Sequence, residues 1–432
     1  MSSIKPNTVL EVYLKKIKIL TLSDHPMSPS GVGTQTKYMI EAMLKTGKYQ
    51  FISLGGAMKH QNYDVMNVEE YKDDWLIRPV DGYGDQNMIR SIIRNDKPDI
   101  LWFMTDPRFW GWLWHIENEI RPLVPMVYYH VWDNKPYPTF NKHFYESTDV
   151  IAAISKVTHD VVKNVAPNVK SFYIPHSVDT DVFKKYPRAE LDQVYQGPMG
   201  NGNLEDKFVV FWNNRNARRK QSGSLIFWFK SFLDKVGHDK AALIMHTDVK
   251  DPHGQDLEAI IHGLGLTNGE VIFSVNKYPP DVIAKLYNIA GCTINISDAE
   301  GFGLATFESL ACETPIIVTM TGGLQEQVTD GENWFGIGLE PTSKAIIGSQ
   351  DIPWIYEDRL SEEAVVGALL KMYNMTEEER RELGKKGREH VMKSYNYDNF
   401  AKQWDELFTY VYDELGSWEN RKGYDSWTLK EV

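Results

Sequence analysis

Glu300 and Glu308 bracket a Gly-Phe-Gly turn in the stretch EGFGLATFE. The preceding CTINIS reads as a strand, DAEGFG as a loop, and LATFESLACE as a helix closed by Thr314-Pro315. Glu300 then precedes the helix and Glu308 lies about a turn inside it. In a continuous helix their eight steps would span roughly 12 Å, a separation suited to two parts of one elongated ligand. Gly301 and Gly303 let backbone N–H groups approach a ligand at a helix start, where unpaired donors and the helix dipole favour phosphate. Carboxylates beside phosphate would repel it, so their expected partners are hydroxyls, such as those of a sugar or ribose. Taken alone, the motif also fits one exposed helix acid and one loop acid.

A second cluster, NNRNARRKQ at 213–221, follows the strand-like KFVVFW. Arg215 and Lys220 supply a fork and a point charge, the combination that neutralises a diphosphate leaving group without a metal. A solvated charge run is the competing reading. His130 ends the apolar run PMVYY and precedes VWDN. A lone His after a strand is more often structural, and Asp133 is a candidate orienting partner. Gly31 and Gly33 are expected between the first strand and first helix, in SDHPMSPSGVGTQTKYMI. The third glycine of a dinucleotide fingerprint is absent, which counts against NAD. Asn276, Lys277 and Tyr278 follow the strand-like EVIFS, where YPPD also fits a plain helix-start turn. FMTDPRFWGWLWH is aromatic enough for an acceptor platform, although buried packing suits it equally.

These residues need elements to position them. The chain has 432 residues, 42% apolar and 12% aromatic, enough for two packed domains. The net charge of −12 argues against a broad field for nucleic acid, so no nucleic-acid partner is expected. Two cysteines, Cys292 and Cys312, are too few for a disulfide scaffold. The amino terminus lacks a signal-peptide core, no run is long enough for a membrane span, and no basic amphipathic helix for anionic lipid is evident. A cytoplasmic location without stable membrane insertion is expected, with a homodimer as one admissible assembly.

Short apolar runs alternate with amphipathic ones: IKILTL, FISLGG, DILWFM, PMVYY and VIAAIS in one series, KFVVFW, AALIMHT, EVIFSV, CTINIS and PIIVTM in another. This alternation predicts α/β architecture with two doubly wound Rossmann-like domains facing a cleft. HSVDTDVFKKYPRAELDQVYQGPMGNGN lacks a clear period and reads as the connection. The expected domains are residues 1–190 and 191–399, with a helix of about 400–432 crossing back onto the first. Thr376–Glu379 reads as a capping box.

EGFGLATFE, R-x4-K as RNARRK, SFYIPHSVDTDVF, DVIAAISKVTHDVV and TGGLQEQVTDGEN together resemble retaining glycosyltransferase family 4, of the GT-B fold, over about residues 15–410. The resemblance implies that Glu300 contacts donor-sugar hydroxyls, Glu308 binds the ribose, and Arg215 and Lys220 hold the diphosphate. It further implies that backbone N–H groups of Phe302, Gly303 and Leu304 line the sugar-phosphate pocket. By the same resemblance His130 lies near the reacting sugar, Asn276, Lys277 and Tyr278 near the base, and Gly31 and Gly33 on the family's glycine loop.

Asp179-Thr180-Asp181 falls in the family's interdomain segment, so neither a metal nor a cofactor is expected. Glu313 departs from the family pattern, which has glycine before Thr-Pro. The implied activity is hexose transfer from a nucleotide sugar to a glycan or glycoconjugate acceptor. GDP-mannose leads as donor, ahead of UDP-glucose and UDP-N-acetylglucosamine. A sugar-nucleotide epimerase, a phosphorylase and a non-catalytic nucleotide-binding scaffold are the alternatives.

Overall fold

The computed structural model describes residues 15–196 and 204–425. Residues 197–203 of the expected connection and 426–432 of the expected terminal helix lie outside this range. Eight strands form a mainly parallel sheet: β1 (Ile17–Asp24), β2 (Tyr49–Gly56), β3 (Met66–Val68), β4 (Lys72–Pro79), β5 (Ile100–Thr105), β6 (Met126–His130), β7 (Val150–Ala153) and β8 (Lys170–Tyr173). Six form a parallel sheet: β9 (Phe208–Asn213), β10 (Ala241–His246), β11 (Val271–Ser274), β12 (Cys292–Asn295), β13 (Ile316–Thr319) and β14 (Gly336–Leu339). β15 (Ser343–Ile347) and β16 (Ile355–Arg359) pair antiparallel.

The described residues divide into two compact units, those within 1–104, 112–127 and 404–432, and those within 105–111 and 128–403. In the first, strands follow the order β3-β4-β2-β1-β5. β1 sets Ile19 opposite Phe51 of β2 and Leu20 opposite Leu101 of β5. All four residues are buried, as a parallel sheet covered on both faces requires. The carboxyl-terminal segment belongs to this unit. Trp404 meets Trp102 edge to face at 5.9 Å, and Asp405 accepts from Tyr49 Oη at 2.7 Å and pairs with Lys48 at 2.8 Å.

In this unit the structure corrects the reading of the glycine loop. Gly31 and Gly33 lie within the first turn of the helix Gly31–Lys45, whose cap is Ser30; its Oγ accepts from Gly33 N at 3.0 Å. A Cβ on Gly33 would sit 2.4 Å from Ser28 Oγ and 2.7 Å from the His25 carbonyl, so the tight entry into the helix fixes that glycine.

The second unit carries β6 from Tyr128 onward, β7, β8 and the six-stranded sheet, in the order β11-β10-β9-β12-β13-β14. β12 sets Asn295 opposite Val318 of β13 and Thr293 opposite Phe211 of β9, which places the carboxyl ends of β9, β12 and β13 side by side. The boundary expected near residue 190 falls inside this unit, in the connection from β8 to β9. That connection contains a helix, Arg188–Gln196, which its polar composition concealed; among its described side chains Leu191 and Val194 are buried. The capping box forms at Thr376, whose Oγ1 accepts from Glu379 N at 3.2 Å. Cys292 and Cys312 are both free and buried.

Glu313 follows the helix Leu304–Ala311 with φ of 61°, the left-handed conformation that glycine adopts at helix ends without a Cβ penalty. The departure recorded at this position therefore costs conformational energy. Glu313→Gly is expected to stabilise the protein by about 0.5–1 kcal/mol, read as a raised midpoint in thermal denaturation.

Candidate active site

Three loops of the second unit converge chemically. The loop after β9 is braced by Asn216, which is buried, donates to the Gln255 carbonyl at 2.7 Å and accepts from Ser222 Oγ at 2.6 Å. The brace leads into a single 3-10 turn, Arg218–Lys220. That turn drives Lys220 inward, where it is 8% exposed and its ammonium pairs with the carboxylate of Glu300, also 8% exposed. Asn295, the last residue of β12, donates to the same Glu300 oxygen at 3.4 Å. Burial pushes the Glu300 carboxyl up, but Lys220 and Arg219 outweigh it and hold the group below its ordinary range. Burial likewise pulls Lys220 below its ordinary value, with Glu300 opposing. The result is an ionised pair with one Glu300 oxygen to spare for a ligand hydroxyl.

The glycine turn after Glu300 is held by backbone contact. Gly303 has φ of 93°, and a Cβ there would lie 2.5 Å from Leu324. The helix that follows has no side-chain cap, which leaves its leading N–H groups for a ligand. Gly322 and Gly323, after β13, lie against this turn: a Cβ on Gly322 would fall 1.8 Å from the Glu300 carbonyl oxygen, and Gly323 N donates to that oxygen at 3.0 Å. Gln327 ties the assembly, donating to the Phe302 carbonyl at 2.7 Å and accepting from Thr306 Oγ1 at 2.7 Å. The Phe302 side chain is buried among His176, Phe307 and Tyr395, so only its backbone faces outward chemistry.

Glu308 lies on the helix and is partly buried. It accepts from Tyr287 Oη at 2.8 Å, and that oxygen accepts from Asn213 Nδ2 at 2.9 Å. Burial raises the Glu308 carboxyl to about 7, with Tyr287 opposing.

Other expected site residues are placed differently. Arg215 forms a bidentate pair with Asp251, at 2.6 and 3.1 Å, and is 61% exposed on its side chain. Arg219, not singled out from the sequence, is the cation whose charge acts on Glu300, Lys220 and Asp133. His130 is fully buried with both ring nitrogens occupied: Nδ1 by Tyr128 Oη at 3.1 Å and Nε2 by Tyr145 Oη at 2.7 Å. Burial lowers it to about 3, so it is a neutral, satisfied core histidine here. Neither ring nitrogen pairs with Asp133, which corrects the expected orienting contact.

Asn276, Lys277 and Tyr278 form the loop after β11. Tyr278 stacks on His246 at 6.0 Å and accepts from Asn276 at 3.3 Å. His246, at the carboxyl end of β10, was missed by sequence reasoning. Asp179 uses its carboxylate to accept from Asp181 N and Val182 N, a local turn. In the aromatic string, Trp110 and Trp114 are buried and Phe109 is 47% exposed.

The loop Thr321–Gly323 and Gln327 entered the sequence reading only through resemblance. Two adjacent glycines after a strand are the signal that could have found this loop, and Gln327 carries none of its own. The β15–β16 hairpin was also missed, because SKAIIGSQDIPWIYEDR mixes short apolar pieces with charge. It braces the site through Glu357 and Arg359. Arg218 donates to Glu357 at 2.6 and 2.9 Å, and Arg359 pairs with Glu357 at 2.8 Å and with Asp298, two residues before Glu300.

Residues 201–390 match the family model "Glycosyl transferases group 1". The chain is 24% identical over 281 residues to N-acetyl-alpha-D-glucosaminyl L-malate synthase of Bacillus anthracis, covering 64% of this chain and 63% of that protein. It is 26% identical over 196 residues to a GDP-mannose-dependent alpha-(1-6)-phosphatidylinositol monomannoside mannosyltransferase of Mycolicibacterium smegmatis, covering 43% of this chain and 47% of that protein. The chain thus spans less than two thirds of the length of these curated relatives. Sucrose-phosphate synthase from Thermosynechococcus elongatus superposes with a TM-score of 0.72 at 16% identity, covering 92% of this chain and 100% of that one. This likeness shows the fold, α/β with two parallel sheets of the GT-B kind. No helix among the described residues is long and apolar enough to cross a membrane.

Proposed function

We propose that the protein is a retaining glycosyltransferase that moves a hexose from a nucleoside-diphosphate sugar to an acceptor hydroxyl. The observation that carries this reading is the buried Lys220–Glu300 pair, three residues ahead of an uncapped helix start that opens with a left-handed glycine. Such a site offers a carboxylate oxygen to sugar hydroxyls, backbone N–H groups to phosphate, and cationic charge from Lys220 and Arg219 to the leaving group. Glu308, a turn further along the helix, suits the ribose diol. Arg215 reaches the diphosphate in this reading only by exchanging its Asp251 partner.

Bond making and breaking occur on one face of the sugar. The C1–O bond to the diphosphate breaks, the acceptor oxygen bonds to C1, and the acceptor's proton passes to the departing phosphate oxygen. Charge on the leaving group is met by cations of the chain, so this scheme needs no metal. GDP-mannose is the leading donor, supported by the name of the mycobacterial relative. The Bacillus relative, an N-acetylglucosaminyl enzyme by name, supports UDP-N-acetylglucosamine as the alternative.

The test is release of nucleoside diphosphate from GDP-mannose, UDP-glucose and UDP-N-acetylglucosamine, with and without added glycans, and the anomeric configuration of product by NMR. Product with the donor's configuration is expected. An isomerised donor formed without acceptor would identify an epimerase, and binding without turnover a scaffold.

A further inference from the structure

Beside the donor turn lies a cavity of about 320 Å³, within the size range of small-ligand pockets. Its walls, all in the second unit, include the loop after β6 (Asp133, Lys135), the loop after β13 (Gly322), Glu340 after β14, and the β15–β16 hairpin (Lys344, Tyr356, Asp358). It adjoins the candidate site through shared backbone contacts. Gly322, in its wall, packs on the Glu300 backbone, and Gly301 lies against Val131, two residues before Asp133. The hairpin is pinned over it: Asn134 donates to the Tyr356 carbonyl at 2.8 Å, and Tyr356 N donates to the Lys135 carbonyl at 2.6 Å.

Most of the polar lining is already engaged. Lys135 pairs with Asp160 at 2.7 Å, and Lys344 approaches Asp358 at 3.9 Å. Among the described residues, the Asp133 carboxylate has no hydrogen-bond or ion-pair partner; burial raises it above the usual carboxylate range, with Arg219 opposing. A partly buried acceptor-only group beside a sugar-binding carboxylate calls for a hydroxyl donor. The formal charges on the wall, three carboxylates (Asp133, Asp358, Glu340) and two ammonium groups, leave it one negative charge, which disfavours an anionic ligand.

We propose that this cavity is the acceptor subsite, that it takes a neutral, hydroxyl-rich sugar rather than a sugar phosphate, and that Asp133 accepts a hydrogen bond from an acceptor hydroxyl beside the reacting one, whose own proton passes to the departing phosphate. The proposal rests on the glycosyltransferase reading above and names the acceptor class and the residue that positions it. Asp133→Asn keeps the shape and removes the charge. With the full-length chain and its active nucleotide sugar, nucleoside diphosphate release is measured alone, with neutral methyl glycosides, and with mannose 6-phosphate.

In the wild type, neutral glycosides are expected to stimulate release more than mannose 6-phosphate does. In Asp133→Asn, stimulation should fall by about 10–100-fold, in line with losing a charge-assisted hydrogen bond that positions the acceptor. Donor affinity and acceptor-free hydrolysis should stay within about twofold, values that also certify folding. Glu340→Lys, at an exposed rim position, reverses the wall's net charge and should shift the ratio of acceptor KM values toward mannose 6-phosphate by about tenfold. The proposal is overturned if no neutral glycoside stimulates release, if mannose 6-phosphate is the better wild-type acceptor, or if Asp133→Asn retains stimulation or loses donor affinity. Failure of the glycosyltransferase reading itself would look different: no nucleotide sugar would be turned over by the wild type.

Discussion

Replacing Lys220 with alanine is expected to lower sugar transfer by at least about 100-fold, the loss associated with one preorganised contact to developing charge. The same change leaves Glu300 buried without its counter-ion, and breaking a buried pair from one side costs about 3–5 kcal/mol of stability. A drop in activity alone would therefore not separate chemistry from unfolding. The double variant Lys220→Ala, Glu300→Gln removes the orphaned charge while keeping the side chain's shape. Its thermal midpoint should recover most of the loss, while kcat/KM, measured well below either midpoint, should stay at least about 100-fold down. Activity that recovered along with stability would assign the pair a purely structural role.

Glu308 carries the second large effect, and it depends on pH. Its carboxyl is raised to about 7 because burial penalises the ionised form. A raised carboxyl contributes stability below its unfolded value, and that contribution is lost as pH rises through about 7. Glu326 is also raised by burial to about 7, so both groups make the folded state less stable between about pH 5 and 7.5. Ribose hydroxyls, which donate, bind the ionised form. Donor affinity should therefore rise about tenfold from pH 6 to pH 8 while stability falls, and binding should release a proton. Glu308→Gln should weaken the donor by about 10–100-fold and flatten the pH dependence, as calorimetric titration at several pH values would show. A variant that retained the wild-type slope would assign the titration to another group.

The strands were legible because parallel sheets buried on both faces are written as unbroken apolar runs; β5 and β6 are buried along their whole length. β14, Gly336–Leu339, escaped because two of its four residues are glycines, and β3 because two of its three residues are exposed. Glu300 and Glu308 stood out because a carboxylate beside glycines and apolar chain is costly unless something pairs with it, and Lys220 only as one of the cations that follow a strand. What spacing did not give was the choice of partner. It proposed Arg215 and Lys220 as equals, and the fold buries one against Glu300 while it ties the other to Asp251. His130 shows the same limit: two tyrosines from β6 and the following helix, Tyr128 and Tyr145, close on its ring from sequence separations that reveal nothing about hydrogen bonding.

The most direct test is calorimetric titration of the wild type and of the folded double variant, Lys220→Ala with Glu300→Gln, with GDP-mannose, UDP-glucose and UDP-N-acetylglucosamine. The wild type should bind at least one of these at a single saturable site, and the double variant should bind that same nucleotide sugar at least about tenfold more weakly. No binding of any nucleotide sugar by the wild type, or equal affinity in the two proteins, would contradict a donor site built on the Lys220–Glu300 pair.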